Sequence, residues 1–335
     1  MSQASNSRNL LKTLPGLVIS GFFLWYTFKG ISFAQILALR LEHPVWLAGV
    51  LLFTAASYTL RCVRWTVMMR PTSAKFPVCA RVLMTSLAAN NILPLRIGDI
   101  MRVFTYAGDL GTSPSVILST VILEKLLDIF FLVLLFTTTM GSIATHKLHV
   151  AAYISLAISA VGLLTLLVGA RALQPPVTAF FSRHTANPKL AKIGHWITLA
   201  LDALARLGVA SSLLLLVQTA VVWLCEGLIY VSALNLLGVS TDRVAPWLAV
   251  SFANLSYLIP SSPGALGPFE LAIKTSLIPH GTSPAQAALF GLALHAWLLV
   301  SVTGAGGLIF LIHRFKTHNH TPLRAEIETL PTELP

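Results

Sequence analysis

Long apolar runs separated by short polar clusters recur from Leu14 to His313. An α-helix needs about 20 mostly apolar residues to cross the hydrocarbon core of a bilayer. Six runs approach or exceed that length: Leu14–Phe28, Val45–Leu60, Ser115–Gly141, Val150–Ala170, Ala210–Leu237 and Ala285–His313. Two further apolar stretches, Arg81–Asp109 and Pro246–Pro279, are broken in the middle by Pro and Gly. This pattern predicts an all-α polytopic membrane bundle of about six full spans and two interrupted segments. Residues 190–207 read differently. Ile193, Ile197, Leu201 and Leu204 recur at helical spacing, while Lys192, His195, Asp202 and Arg206 lie mostly off that stripe. Such a segment is expected as an amphipathic helix lying in the cytoplasmic interface. One transmembrane domain is therefore expected over residues 1–316, followed by a polar, Pro-containing cytoplasmic tail at 317–335 expected to be disordered.

The two broken stretches run in parallel along the sequence. The first reads Ser86-Leu-Ala-Ala-Asn90, Leu93-Pro94, Gly98-Asp99 and Gly111-Thr-Ser-Pro114. The second reads Ser251-Phe-Ala-Asn254, Ile259-Pro260, Gly267-Pro-Phe-Glu270 and Gly281-Thr-Ser-Pro284. Each Gly-Thr-Ser-Pro opens a long apolar helix, with Ser113 or Ser283 at the N-cap and Pro114 or Pro284 at the first helical position. Units 81–141 and 246–313 thus read as an internal repeat. Three full spans separate them, an odd number, so the repeat is expected to be inverted across the membrane. Each broken stretch is expected as a re-entrant pair of half-helices, since non-helical backbone at membrane depth must face protein or a water-filled cavity.

Composition agrees with a bilayer as the solvent. The chain of 335 residues is 55% hydrophobic and 10% charged, against roughly 25% charged in soluble domains; its mean hydropathy is +0.77. The net charge of +11 does not signal nucleic acid, because the bases sit in short loops between apolar runs. One basic loop is read at Arg61, Arg64, Arg70, Lys75 and Arg81, and another at Arg171, Arg183, Lys189 and Lys192. The opposite loops are poorer in bases, which places both termini in the cytoplasm. Arg8 and Lys12 precede the first run, yet no clean cleavage site follows, so it is read as an uncleaved span of a plasma, or bacterial inner, membrane protein. Cys62, Cys79 and Cys225 form no C-x-x-C pair or Cys/His cluster, and neither a metal nor a cofactor is expected.

Ionisable residues inside a membrane are costly and mark function or a partner. The first unit carries Arg96, Asp99 and Arg102; the next span carries Glu124, Lys125 and Asp128. Glu124 and Asp128 are four apart and share a helix face, and either is expected to pair with Arg96 or Arg102. Glu226 and His295 stand singly in their spans; Glu270 and Lys274 are spaced as a local i,i+4 ion pair. Asn90, Asn91, Pro94, Asn254, Pro260, Pro263, Gly264 and Gly267 surround the breaks. Half-helix N-termini there, with Arg96, Arg102 and Lys274, suit a phosphate. The residues around the breaks, with Arg96, Asp99, Arg102, Glu124, Asp128, Glu270 and Lys274, form the candidate substrate site; no catalytic nucleophile–base pattern is readable.

The motifs Asn91-Ile-Leu-Pro-Leu-Arg-Ile-Gly-Asp-Ile-Met-Arg102, Leu123-Glu-Lys-Leu-Leu-Asp128 and Pro263-Gly-Ala-Leu-Gly-Pro-Phe-Glu270 resemble the flippase-like membrane region of lysylphosphatidylglycerol synthetases. The resemblance covers roughly Leu10 to Phe315. This chain has Gly98-Asp99 where that family usually has Gly-Glu, and Glu124-Lys125 where it has Glu-Arg. Lys125 keeps the charge but not the guanidinium fork.

The resemblance implies translocation of a polar-headed lipid, anionic or zwitterionic, and no soluble lysyl-transfer domain is expected in this chain. Two alternatives stand beside a lipid flippase: a membrane-embedded enzyme acting on a lipid phosphate, and an accessory scaffold for a lipid-synthesis enzyme. No nucleotide-binding loop is readable, and no pattern sets an oligomeric state.

Overall fold

A computed structural model describes residues 3–32, 40–140, 146–167, 169–183 and 188–328. Among them the secondary structure is entirely helical. The helices are α1 Gln3–Phe28, α2 Trp46–Met68, α3 Phe76–Ile92, α4 Ile97–Phe104, α5 Pro114–Thr139, α6 His146–Leu167, α7 Ala170–Ser182, α8 Pro188–Ala205, α9 Gly208–Leu236, α10 Ala245–Ser256, α11 Pro268–Leu277 and α12 Pro284–Glu328. Short 3-10 turns occupy Pro94–Arg96, Pro263–Ala265 and Ile278–His280. Among the described residues four helical segments are long and apolar enough to cross a membrane: Trp46–Met68, His146–Leu164, Ala210–Leu236 and Pro284–Lys316. Gly16–Phe28 is a shorter apolar helix. Helix α5 has 26 residues, and it carries Glu124, Lys125 and Asp128.

The exterior is as apolar as this composition requires. Leu52, Ile158, Val161, Leu213, Val217 and Val300 are all exposed. In water such a belt would aggregate; in lipid it is the solvated face. Among the described residues the interior holds two large apolar clusters and a small third at Met140, Ala152 and Leu248. One gathers around Trp65, Met68, Leu83, Ile117 and Leu123. The other gathers around Tyr230, Phe269, Ile273, Phe290 and Leu294.

Each broken stretch folds as a helix, a break and a shorter helix that returns against the first. In the first, Gly98 makes the return possible. A Cβ there would overlap the Ser86 carbonyl and the Asn90 side chain, which lie on α3. We therefore expect Gly98→Ala to destabilise the fold by about 1–3 kcal/mol, the range for overpacking a tight contact; an unchanged melting point in detergent would contradict that packing. In the second, Gly267 has φ of 96° and a Cβ there would meet the Ser20 carbonyl and Phe23 of α1. Both stretches lead to a long helix opened by Ser-Pro, at Ser113-Pro114 and Ser283-Pro284. Ser283 Oγ accepts from Gln286 N, as an N-cap does. Ser113 makes no such cap; its hydroxyl bonds that of Ser115.

Three sequence readings change. Arg61 and Arg64 do not lie in a loop, because α2 runs on through Cys62, Trp65 and Met68, all buried. Arg81 sits in α3 and bonds Asp109 at 2.8 Å, so only Arg70 and Lys75 of that basic group lie in the connection. Helix α12 continues to Glu328, past the expected end of the membrane domain at 316; residues 329–335 lie outside the described set. The expected amphipathic helix at 190–207 corresponds to α8. Gly306 lets α12 approach α3 closely, against the Met84 carbonyl and Ala88, while Gly304 and Gly307 face open space.

Asp242, in the connection from α9 to α10, ties that corner together. Its Oδ1 accepts from Val244 N at 2.8 Å and Ala245 N at 2.9 Å, and its Oδ2 meets His280 Nδ1 at 2.6 Å. Slight burial pulls its carboxyl upward, but the His280 bond and the two backbone N–H groups outweigh it and hold the carboxyl below its usual value. A depressed carboxyl contributes stability above its unfolded value and loses it as pH falls through the folded one. Asp242→Ala is thus expected to cost about 1 kcal/mol at neutral pH, as helix-start acceptors do. The difference from the unsubstituted protein should shrink in acid, read as thermal midpoints across pH; a pH-independent difference would contradict it.

Candidate functional site

Charged side chains from four helices meet inside the bundle. Arg102 of α4 is fully buried and bonds Glu124 Oε2 of α5 at 2.9 Å. It also lies 3.4 Å from Asp99 Oδ1, one helical turn back. Lys125 Nζ is 3.5 Å from Asp99 Oδ2 and 3.9 Å from Glu124 Oε1. One turn further along α5, Asp128 takes a two-pronged contact from Arg64 of α2, at 2.7 and 3.2 Å. Arg64 also donates to Thr219 of α9. Arg61 reaches Glu226 of α9 at 3.3 Å and Asp128 at 3.9 Å, and Ser57 donates to Glu226.

The logic of this cluster is compensation. A lone buried ion costs several kcal/mol even after relaxation, and more in a lipid-embedded bundle. Here Arg61, Arg64, Arg102 and Lys125 face Asp99, Glu124, Asp128 and Glu226, so the charges balance. Trp65 lies under the Arg102 guanidinium at 5.1 Å and Trp223 under Arg61 at 5.4 Å. These rings stabilise the cations where water is excluded. The Nε atoms of Arg61, Arg64 and Arg102 have no hydrogen-bond partner among the described residues.

The second unit builds a separate couple. Glu270 is fully buried; its Oε2 accepts from Gly267 N at 2.7 Å and its Oε1 meets His295 Nδ1 of α12 at 2.7 Å. Phe269 stacks on the His295 ring at 4.0 Å. Glu270 and Lys274 do not pair: the carboxylate is drawn inward to His295 and Gly267, while Lys274 Nζ donates to the Thr27 carbonyl at 2.5 Å, in the last turn of α1. The backbone N–H groups opening this half-helix are likewise not all free for an anion, because Glu270 holds that of Gly267. In the first unit Asn90 Oδ1 holds Asp99 N at 3.1 Å, and Asn90 Nδ2 returns a bond to Asp99 Oδ1.

The breaks themselves touch, turn Pro94–Arg96 against turn Pro263–Ala265. Gly264 lies close to the Asn91 carbonyl and the Leu299 side chain. Asn91 donates to Thr303 of α12 at 3.2 Å. Arg96 is exposed, sits at φ 54°, and places its guanidinium 5.7 Å from the Tyr257 ring at the end of α10. Ala265 also has positive φ, 56°. Two non-glycine residues in that region, one on each facing turn, mark a strained junction. The remaining candidates do not converge on it. Asn254 bonds the Val250 carbonyl of its own helix, and Pro260 is exposed beside Leu258 and Ile259.

Arg96 and Arg102, expected as alternatives for pairing with Glu124 and Asp128, therefore have different fates. Arg102 is consumed by Glu124 and Asp99. Asp128 turns to Arg64, which sequence reasoning had placed in a loop. The signal was present: Ser57, Arg61 and Arg64 follow helical spacing into an apolar continuation, Cys62 to Met69. Glu226 and His295, read as single residues, both have partners.

These features define a polytopic α-helical membrane protein with a buried ionic core beside two facing helix breaks. The family described as Lysylphosphatidylglycerol synthase TM region matches residues 14–306, and the chain belongs to it. No curated protein and no solved structure matched the chain.

Proposed function

We propose that this chain is a lipid flippase or transporter, moving a phospholipid or other polar-headed lipid between the leaflets of the plasma membrane, with both termini in the cytoplasm. The observation that carries this reading is the junction of the two breaks. It pairs strained, non-helical backbone with an exposed guanidinium, Arg96, directly beside a charge-balanced core. Irregular backbone at membrane depth needs a polar neighbour or a cavity, and a phosphate headgroup suits a guanidinium. In this reading the units at 81–141 and 246–313 form an inverted repeat of re-entrant hairpins, and their relative motion alternates access to the junction. The acyl tails stay in lipid while the headgroup passes Arg96. No covalent chemistry is assigned to the chain.

The test is headgroup accessibility of fluorescent lipids in liposomes holding the purified protein, read by a dithionite quench with and without an ion gradient. Faster loss of inner-leaflet signal for one headgroup class is the expected result. Folded protein that accelerates no lipid under either condition would overturn the proposal, and chemical turnover of the lipid would replace it with the enzyme reading. Restored lipid synthesis by a translocation-dead chain would favour the scaffold.

A further inference from the structure

The second unit buries a carboxylate without giving it a cation of fixed charge. Glu270 and His295 are 0% and 1% exposed, and they sit with Phe269, Ile273, Phe290 and Leu294 in one apolar cluster. Among the described residues the only ion-pair partner of Glu270 is His295, whose own charge depends on a proton. Lys274, one turn along α11, is spent on the Thr27 carbonyl. The elements packed on α11 and α12 supply no cation either. Tyr257, at the end of α10, meets His295 edge-on at 6.5 Å, and Arg96 lies over that tyrosine's ring. Helix α9 brings Tyr230 and Glu226, and Glu226 is held by Arg61 and Ser57. Helix α1 presents the Ser20 hydroxyl and the Thr27 carbonyl, while Lys29 beyond it lies over Trp25. On α3, Arg81 is held by Asp109 and Cys79 lies in the other apolar cluster. On α12 itself His313 and Arg314 are about five turns away.

Counting protons shows what this setting demands. The 2.7 Å contact between His295 Nδ1 and Glu270 Oε1 holds one proton. With that proton alone the couple is a net negative charge in a medium of low dielectric, which is costly. A second proton makes it neutral. Oε2 is occupied by the Gly267 N–H, so the second proton goes to His295 Nε2, whether the first then rests on nitrogen or on oxygen. Nε2 is buried and has no hydrogen-bond partner among the described residues. Water lies close in sequence: Ile259, Pro260 and Leu266 are exposed and Ser261 to Pro263 half-buried, whereas Gly264, Gly267 and Glu270 are buried.

We propose that the Glu270–His295 couple is a proton-binding site, filled at His295 Nε2, and that its occupancy holds the second helix break closed. Without that proton the carboxylate keeps a charge that no cation offsets, and the charge draws water in at Gly264–Gly267 and loosens the Gly267 bond. With the proton bound the couple is neutral and the apolar cluster closes over it. This is a statement about proton binding and stands whether or not the protein moves lipid.

The experiment uses the full chain in phosphatidylcholine nanodiscs and reads two quantities across the pH range in which the protein stays folded. Protonation of the His295 ring is followed by nitrogen NMR on histidine-labelled protein, with the signal assigned by its loss in His295→Gln. Opening of the break is followed by amide hydrogen exchange of the peptide holding Gly267, corrected for the intrinsic pH dependence of exchange and referred to the peptide holding Trp65. Acidification should add a proton at His295 Nε2 and, in step with it, slow the Gly267 exchange by about tenfold, as expected for a bond to a charged group. Glu270→Gln keeps an acceptor for Gly267 N and a donor for Nδ1 but carries no charge, so its exchange should be slow at every pH. A His295 ring that keeps the same protons throughout would make the couple purely structural and overturn the proposal. Proton uptake without a change at Gly267, or a pH-dependent exchange that survives in Glu270→Gln, would overturn it as well.

Discussion

Arg102→Met is expected to destabilise the bundle by about 3–5 kcal/mol, the cost of stranding buried charge when one partner is removed. Glu124 would lose its 2.9 Å bond in a buried setting, and the half-buried Asp99 would lose its neighbour. Chemical or thermal unfolding in detergent measures this directly. The double substitution Arg102→Met with Glu124→Leu should recover more than half of the loss, because Lys125 then remains to neutralise Asp99. Buried ion pairs replaced whole by apolar side chains are often neutral in stability. A single variant that melts like the unsubstituted protein would show that the cluster is hydrated and not a packed core.

For Arg96→Gln the expectation is the reverse: little change in stability and translocation slowed by about tenfold or more, the loss of one charge-assisted bond of about 1.5–3 kcal/mol. Arg96 is exposed, and no ion pair holds it among the described residues; its one ring contact is with Tyr257. Its left-handed backbone costs about 1–2 kcal/mol for a residue with a Cβ. Arg96→Gly would relieve that cost, so this variant should be as stable as the parent or more so, yet equally slow. Stability and rate moving apart identify a functional group; both falling together in Arg96→Gly would make the residue structural. Translocation at the normal rate in both variants would remove Arg96 from the site.

The two arginines show where sequence reading reaches its limit. Both stand in one short motif, and both were candidates for the same carboxylates. Helix phase decides between them. Arg102 lies on the face of α4 that packs towards α5, while Arg96 ends the 3-10 turn before α4 begins. The local rule that pairs Glu270 with Lys274 fails for a related reason. An i,i+4 contact is worth only a few tenths of a kcal/mol on a solvated helix, and Glu270 is buried where His295 and Gly267 offer stronger bonds. Arg61 and Arg64 read as loop residues because charge ordinarily ends a span, yet both lie within α2. In a bundle, a charge ends a span only if no counter-charge waits inside.

The sequence by itself determined the class of protein, the positions of the helix breaks and the set of ionisable residues worth attention. Those properties depend on local quantities: run length, Pro and Gly placement, and the cost of burying charge. Tertiary structure decided who pairs with whom. It matched Arg64 with Asp128 across 64 positions of chain and Ser57 with Glu226 across 169. It also spent Lys274 on the end of α1 and left Arg96 exposed. Such partners are chosen by the packing of distant helices in a medium of low dielectric, where each buried charge must find an opposite one, and no local pattern encodes that choice.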